Sequence, residues 1–145
     1  ALLAWAAAAL GAQVALAVAR RRGEARELAV RRRLRPLLLA EHLAFVAALA
    51  AGFALVEHRG WGLGTARWLA VKVGLTAFLL VPLEAMHAWI CHGWIDRGLR
   101  QTDAPPFSKD LLRGIGMEDM LRALAVPLLT LALPLLVWLS LRQPR

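Results

Sequence analysis

Apolar residues fill four long stretches of this chain, and polar residues gather between them. The four apolar runs cover residues 1–19, 37–56, 68–95 and about 121–141. About 20 apolar residues in a helix cross the hydrocarbon core of a bilayer, so each run is long enough to span. No stretch alternates apolar and polar residues as a half-buried strand does. The pattern predicts an all-α fold, a four-transmembrane-helix bundle that forms one integral membrane domain over residues 1–145.

Composition and charge fit a membrane protein. Of the 145 residues, 59% are hydrophobic, and the net charge is +8. A soluble domain of this length carries more polar surface, so soluble classes are set aside. The positive charge lies between the apolar runs and does not indicate a nucleic-acid partner. The predicted partners are the lipid bilayer and, beyond it, other membrane subunits or further copies of the chain.

The uneven distribution of arginine predicts the orientation. Connectors 20–36 and 96–120 hold most of the cations, and the opposite side of the bundle holds few. Cytoplasmic loops are enriched in Lys and Arg, so both long connectors are predicted to be cytoplasmic and both termini outside. Arginine greatly outnumbers lysine, which is typical of a GC-rich bacterial genome. The predicted location is therefore a bacterial cytoplasmic (inner) membrane.

The two long connectors carry signals of local structure. Gly23 and Pro36 are predicted to break the first connector into the basic ends of two helices. The second connector contains an amphipathic stretch that Gly114 and Gly116 interrupt. Its apolar residues are Leu111, Leu112, Ile115, Met117 and Met120. This stretch is predicted to form an interfacial amphipathic segment on the inner leaflet before the last helix.

Small residues recur every four positions in the first two spans. The first span has Ala7, Gly11, Ala15 and Ala19, and the second has Ala40, Ala44, Ala48 and Gly52. Small side chains at this spacing let two helix backbones approach closely. We therefore expect the first two spans to pack as a tight antiparallel hairpin along these faces.

Two glutamate–histidine pairs interrupt the apolar runs. Glu41-His42 lies near the start of the second run, and Glu84-x-x-His87 lies inside the third. An ionisable side chain at the centre of a spanning helix costs about 2.5–3.5 kcal/mol on insertion scales, so such residues usually mark a functional site. By helical rise, His42 is roughly 8 Å and His87 roughly 12 Å from the cytoplasmic ends of their runs. The two histidines are thus predicted to lie in the same leaflet on different helices.

Histidines placed in this way predict a cofactor site. Two imidazoles that face each other across a helix bundle can ligate a haem iron axially, so His42 and His87 are the predicted metal ligands of haem b. Glu41 or Glu84 could hydrogen-bond a ligating ring and fix its tautomer. A carboxylate di-metal site is a weaker alternative, because it usually takes two Glu-x-x-His motifs and only one is present. The glutamates and histidines could also simply satisfy each other.

Three further polar residues lie near the ends of the third run. Lys72 is four residues after Trp68, near the outer end, where snorkelling to the interface explains it without function. Its functional alternative is an anchor for a propionate or a quinone carbonyl. His92 is near the inner boundary and is expected to be solvated. Cys91, the single cysteine, is expected to be a packing residue and excludes an internal disulfide.

The third span and its flanks resemble the small membrane proteins of the HemJ–CopD type. The resemblance rests on Trp68-x-x-x-Lys72, on an apolar helix that contains His87, and on the basic exit Asp96-Arg97. It implies a four-helix haem-b protein linked to protoporphyrinogen oxidation, or a relative of domains linked to copper uptake. Carried over, Lys72 matches the lysine of that family and His87 its downstream histidine. The family's first-span histidine has no counterpart in residues 1–19.

Two hypotheses of different kinds follow from the sequence. The first is a haem-b-binding membrane protein that acts in electron transfer or tetrapyrrole oxidation, with His42 and His87 as ligands and Lys72 as an anion or quinone anchor. The second is a cofactor-free accessory or assembly subunit of a larger membrane complex. Proton transport through Glu41 and Glu84 is a third option, although few polar residues continue such a path. No Walker loop, nucleophile triad or cysteine-based metal motif is present.

Overall fold

A computed structural model describes residues 2–62, 64 and 66–141. Within these residues every regular element is helical, and none of them forms a strand. The first hairpin consists of α1 (Leu2–Arg21) and α2 (Glu24–Arg59). Gly23, which lies between them, has a φ of 107°, a backbone conformation that side chains with a Cβ rarely adopt. The predicted break at Gly23 is therefore confirmed.

The predicted break at Pro36 is wrong. Pro36 lies inside α2, which runs without interruption for 36 residues. The second apolar run was predicted to begin at residue 37, but its helix begins thirteen residues earlier, at Glu24. The basic stretch is thus part of the helix rather than a connector.

The second hairpin consists of α3 (Arg67–Gln101) and α4 (Lys109–Leu141). Two π-helical segments, Thr76–Leu80 and Ile90–Ile95, lie within α3. The predicted interfacial segment before the last helix is not a separate element, because its residues form the first turns of α4. Gly114 and Gly116 do not interrupt that helix; Gly114 lies against Ile95 and Trp94 of α3. Helix packing, rather than a position flat on the membrane, accounts for the small residue there.

Three of the helices are long and apolar enough to cross a membrane: Glu24–His58, Arg67–Gln101 and Lys109–Leu141. At 1.5 Å per residue each is about 50 Å long, whereas the hydrocarbon core is about 30 Å thick. Each of these helices therefore exceeds the length that a span needs. Residues 2–19 of the first apolar run lie in α1, and residue 1 lies outside the described part of the chain.

Close backbone approaches occur mainly within each hairpin, between α1 and α2 and between α3 and α4. The predicted α1–α2 hairpin is thus confirmed, but the predicted faces are not. A Cβ added at Gly11 or Gly52 would meet no atom within 4 Å, so these glycines do not lie at the helix contact. In α3 and α4 the tight contact is at Gly98, where a Cβ would lie 2.5 Å from the backbone of Leu111.

Ion pairs, some of them buried, join the two hairpins at their basic end. Arg31 of α2 lies 2.9 Å from Glu27 and 2.8 Å from Glu118 of α4, and all three side chains are buried. Arg20 at the end of α1 lies 2.8 Å from Asp119 of α4. Because charges out of water require partners, these pairs fix how α1, α2 and α4 meet.

Candidate metal and cofactor site

The two glutamate–histidine pairs meet where α2 faces α3. The Nδ1 atom of His42 lies 2.7 Å from Oε1 of Glu84, and both side chains are buried. When Glu84 is ionised, this hydrogen bond places the proton of a neutral His42 on Nδ1 and leaves Nε2 with a free lone pair. Glu84 and His87 lie one helical turn apart between the two π-helical segments of α3. Segments of this kind are frequent at functional sites.

Three imidazole rings come together at this point. The ring of His87 lies edge-on to that of His42, with centroids 5.3 Å apart and an interplanar angle of 74°. The ring of His92 lies 5.2 Å from that of His42. The sequence predicted that His42 and His87 lie at a similar depth, but not that their rings face each other. In the structure the two rings are in contact. The structure also brings His92 to the cluster, although its side chain is partly exposed as expected.

Several polar atoms in this cluster are buried without a hydrogen-bond partner. They are Nε2 of His42, Nε2 of His87 and Oε2 of Glu41. A buried polar atom that has lost water and gained no partner costs about 1–3 kcal/mol, so three of them in one place indicate a site for a ligand. Donor atoms of Glu41, Glu84 and His87 lie within 4.8 Å of one another, and so do those of His42, His87 and Cys91.

A cavity of about 530 Å³ opens beside the cluster, between the two hairpins. Glu41, Glu84 and His87 form part of its wall, and His42 does not. Most of the remaining wall is apolar: Ala9, Leu10, Leu80, Leu83, Leu121, Ala125, Val126, Leu129, Leu133 and Pro134. The site can therefore enclose a largely apolar ligand and offer a histidine nitrogen and carboxylate oxygens at one edge.

Unpartnered polar atoms are also found elsewhere on the wall of this cavity. Nε1 of Trp5, Oε1 of Gln13 and Nε of Arg122 are buried and lack partners, and all three residues line the cavity. With Glu41 and His87, they make five residues around the cavity wall that could each form a further hydrogen bond or ligand bond. A ligand with an apolar body and several polar positions fits such a wall.

Lys72 is not part of this arrangement. Its Nζ donates a hydrogen bond to Oγ of Ser140 in α4, at 2.8 Å, and the contact is exposed. Lys72 is fifteen residues before His87, which corresponds to about 22 Å along the helix. The structure thus brings together four of the five predicted cofactor-binding residues and leaves Lys72 near the other end of α3.

Sequence reasoning missed the contribution of α1 and α4 to the site. Gln13 is the polar residue in an otherwise apolar run, and its position there could have indicated that α1 contributes to a polar site. Arg122 and Glu118 fall where a helix was expected to leave the membrane, so their charge did not stand out. Trp5 carries no pattern that separates it from an ordinary interfacial tryptophan.

Comparison with known proteins identifies no relative: no family model, no curated protein and no solved structure matches this chain.

Proposed function

We propose that this chain is an integral protein of a bacterial cytoplasmic membrane that binds haem b and acts in electron transfer or tetrapyrrole oxidation. The observation that carries the proposal is His87. Its buried Nε2 has no partner, and its side chain lines an apolar cavity of about 530 Å³. A neutral imidazole nitrogen beside a large apolar space is the arrangement that haem ligation requires.

Of the residues at the site, His87 is the best placed to ligate a haem iron. His87 would hold the iron, and the aliphatic wall of α3 and α4 would cover the ring. His42 Nε2 is also free, but His42 lies behind His87 rather than on the cavity wall. Ligation by both histidines therefore requires the two rings to separate, and it stays a prediction. Bound haem would supply one-electron chemistry, since its iron changes oxidation state.

The residues around His87 have definable tasks in this proposal. Glu84 holds His42 in one tautomer through their hydrogen bond, and His42 in turn supports the edge of the His87 ring. Both imidazoles are thus positioned before any ligand binds. The apolar wall would exclude water from the ligand, and a low dielectric strengthens the influence of the nearby carboxylates on it.

Haem absorption spectra of His→Ala variants test this proposal. The unaltered protein, produced with haem supply and purified in detergent, should show a Soret band. H87A should lose about ten-fold or more of its haem, because loss of a ligand exceeds the effect of outer-shell changes. H42A should keep more haem than H87A, with an altered spectrum.

His58→Ala is the matched control, because His58 is exposed at the far end of α2. It should leave the haem content unchanged. Equal haem in H42A, H87A and the unaltered protein would refute the ligand assignment. A protein that takes up no haem at all would contradict the proposal, and one that also holds no metal ion would favour the cofactor-free accessory subunit.

A metal ion ligated by the protein alone is the second candidate, and the close donor atoms favour it. Glu41, Glu84 and His87 offer two carboxylates and an imidazole within 4.8 Å, a set that suits iron, manganese or zinc. Glu41→Gln separates the two candidates. It should lower the content of a bare ion about ten-fold, measured by elemental analysis, and leave haem content nearly unchanged. A haem-free protein whose metal content does not respond to this change would exclude the second candidate.

A further inference from the structure

A tryptophan that contacts two arginines lies at the basic end of the second hairpin. The guanidinium carbon of Arg113 lies 4.5 Å from the ring centroid of Trp94, and that of Arg97 lies 5.8 Å from the same centroid. Arg113 belongs to α4 and the other two residues to α3. We call Trp94, Arg97 and Arg113 the arginine–tryptophan patch.

Close helix packing creates this patch. At Gly98 and Gly114 the backbones of α3 and α4 approach so closely that an added Cβ would overlap the neighbouring helix. Gly114 lies directly against Trp94, and this brings the adjacent Arg113 over the indole. Stacking on an aromatic face orients a guanidinium and leaves its N–H groups free to bind an anion in bidentate fashion.

Neither arginine of the patch has an acidic partner among the described residues. Both arginines are exposed. Asp96, the carboxylate closest in sequence to Arg97, is paired with Arg35 at 2.7 Å. The patch therefore presents two oriented cations whose charge no neighbouring acid neutralises.

Exposed apolar residues adjoin the patch. Trp89 stacks edge-on against Trp94 at 6.2 Å and is 56% exposed, and Leu112 next to Arg113 is 54% exposed. A free phosphate ion would leave these surfaces in contact with water. A phospholipid would cover them with its acyl chains while its phosphate met the guanidinium groups.

We infer that the arginine–tryptophan patch binds the headgroup of an anionic phospholipid. This inference rests on the membrane insertion in the proposed function but is independent of haem. The phosphate diester lies between Arg97 and Arg113, and the acyl chains run along Trp89 and Leu112. Because the patch bridges α3 and α4, the lipid joins the two helices of the second hairpin.

Native mass spectrometry of the delipidated protein in detergent tests this inference. Phosphatidylglycerol and phosphatidylcholine with the same acyl chains are added in turn, and bound lipid is counted. We expect phosphatidylglycerol to bind more tightly. The double variant R97Q/R113Q should lose roughly 30-fold of that affinity, since each arginine near a lipid surface contributes about 1 kcal/mol and about 1.4 kcal/mol corresponds to ten-fold.

The control R26Q/R33Q also removes two positive charges, but from exposed positions on α2 that stack on no tryptophan within the described residues. It should reduce phosphatidylglycerol binding little. Equal losses in both double variants would mean that net charge alone attracts lipid, and this would overturn the inference. Displacement of the lipid by millimolar inorganic phosphate would overturn it too, because the acyl-chain contacts would then contribute nothing. Failure of the chain to fractionate with membranes would instead refute the proposed function.

Discussion

Replacing Gly98 by alanine is expected to disrupt the packing of α3 against α4. The new Cβ would lie 2.5 Å from both Cα and N of Leu111, and backbone atoms cannot rotate away as a side chain can. Leu111 is fully buried, so α4 would have to move as a whole. Forced shifts of this kind cost up to about 3 kcal/mol, or more when they are large. A change of that size corresponds to a drop of roughly 10 °C in the melting temperature, measured on the protein in detergent.

Gly116→Ala is the control for this prediction. Gly116 lies in the same helix hairpin, and a Cβ there would meet no atom within 4 Å. Alanine is favoured over glycine in a helix by about 1 kcal/mol, so G116A should match or exceed the stability of the unaltered protein. If G98A and G116A melted at the same temperature, the close approach at Leu111 would be refuted. G98A should also weaken lipid binding at the arginine–tryptophan patch.

Replacing Arg31 by methionine is expected to have an effect of similar size for an electrostatic reason. The side chain of Arg31 is 3% exposed and bridges Glu27 and Glu118, which are also buried. Without it Glu27 keeps only Arg20, at 3.3 Å, as a cationic partner within the described residues. Glu118 likewise keeps only Arg122, at 3.1 Å. Breaking a buried pair from one side costs about 3–5 kcal/mol, and these remaining partners place the expected loss near the lower end of that range. In detergent, R31M should therefore unfold at a clearly lower temperature than the unaltered protein.

Arg33→Met provides the comparison, because Arg33 is exposed on the same helix and forms no ion pair within the described residues. It should change the free energy of unfolding by about 0.5 kcal/mol or less. The double variant R31M/E27Q should regain part of the stability that R31M loses, because Glu27, which has lost Arg31, then no longer carries a buried negative charge. R31M as stable as R33M would show that the three charges do not form a buried network.

The helical class and the apolar runs could be read from the sequence, but the helix ends could not. Pro36 costs about 3 kcal/mol inside a helix, so a break there was the reasonable expectation. The helix continues because Glu27, Leu28 and Arg31 are buried against other helices, and this tertiary gain outweighs the local cost. Such a gain depends on residues far along the chain, such as Glu118, which no local pattern connects to Arg31.

Four residues of the site, Glu41, His42, Glu84 and His87, were predictable from the sequence, but the contributions of α1 and α4 were not. Counting residues placed His42 and His87 at similar distances from the basic ends of their apolar runs, since helical rise is constant. Their contact depends on how α2 and α3 rotate about their axes, and the sequence does not encode that in any local pattern. The small-residue faces show the same limit: in an alanine-rich chain Gly11 and Gly52 recur at the right spacing without lying at the helix contact.

The division into two hairpins has a consequence for how the protein is made. Each hairpin has its close backbone contacts within itself, so each could enter the bilayer as a unit while the rest of the chain is still being synthesised. The cavity lies between them, with Gln13 and Glu41 on the first hairpin and His87 and Arg122 on the second. It therefore exists only after the second hairpin docks. If the chain binds an apolar ligand as proposed, that ligand could enter the cavity sideways when the second hairpin docks.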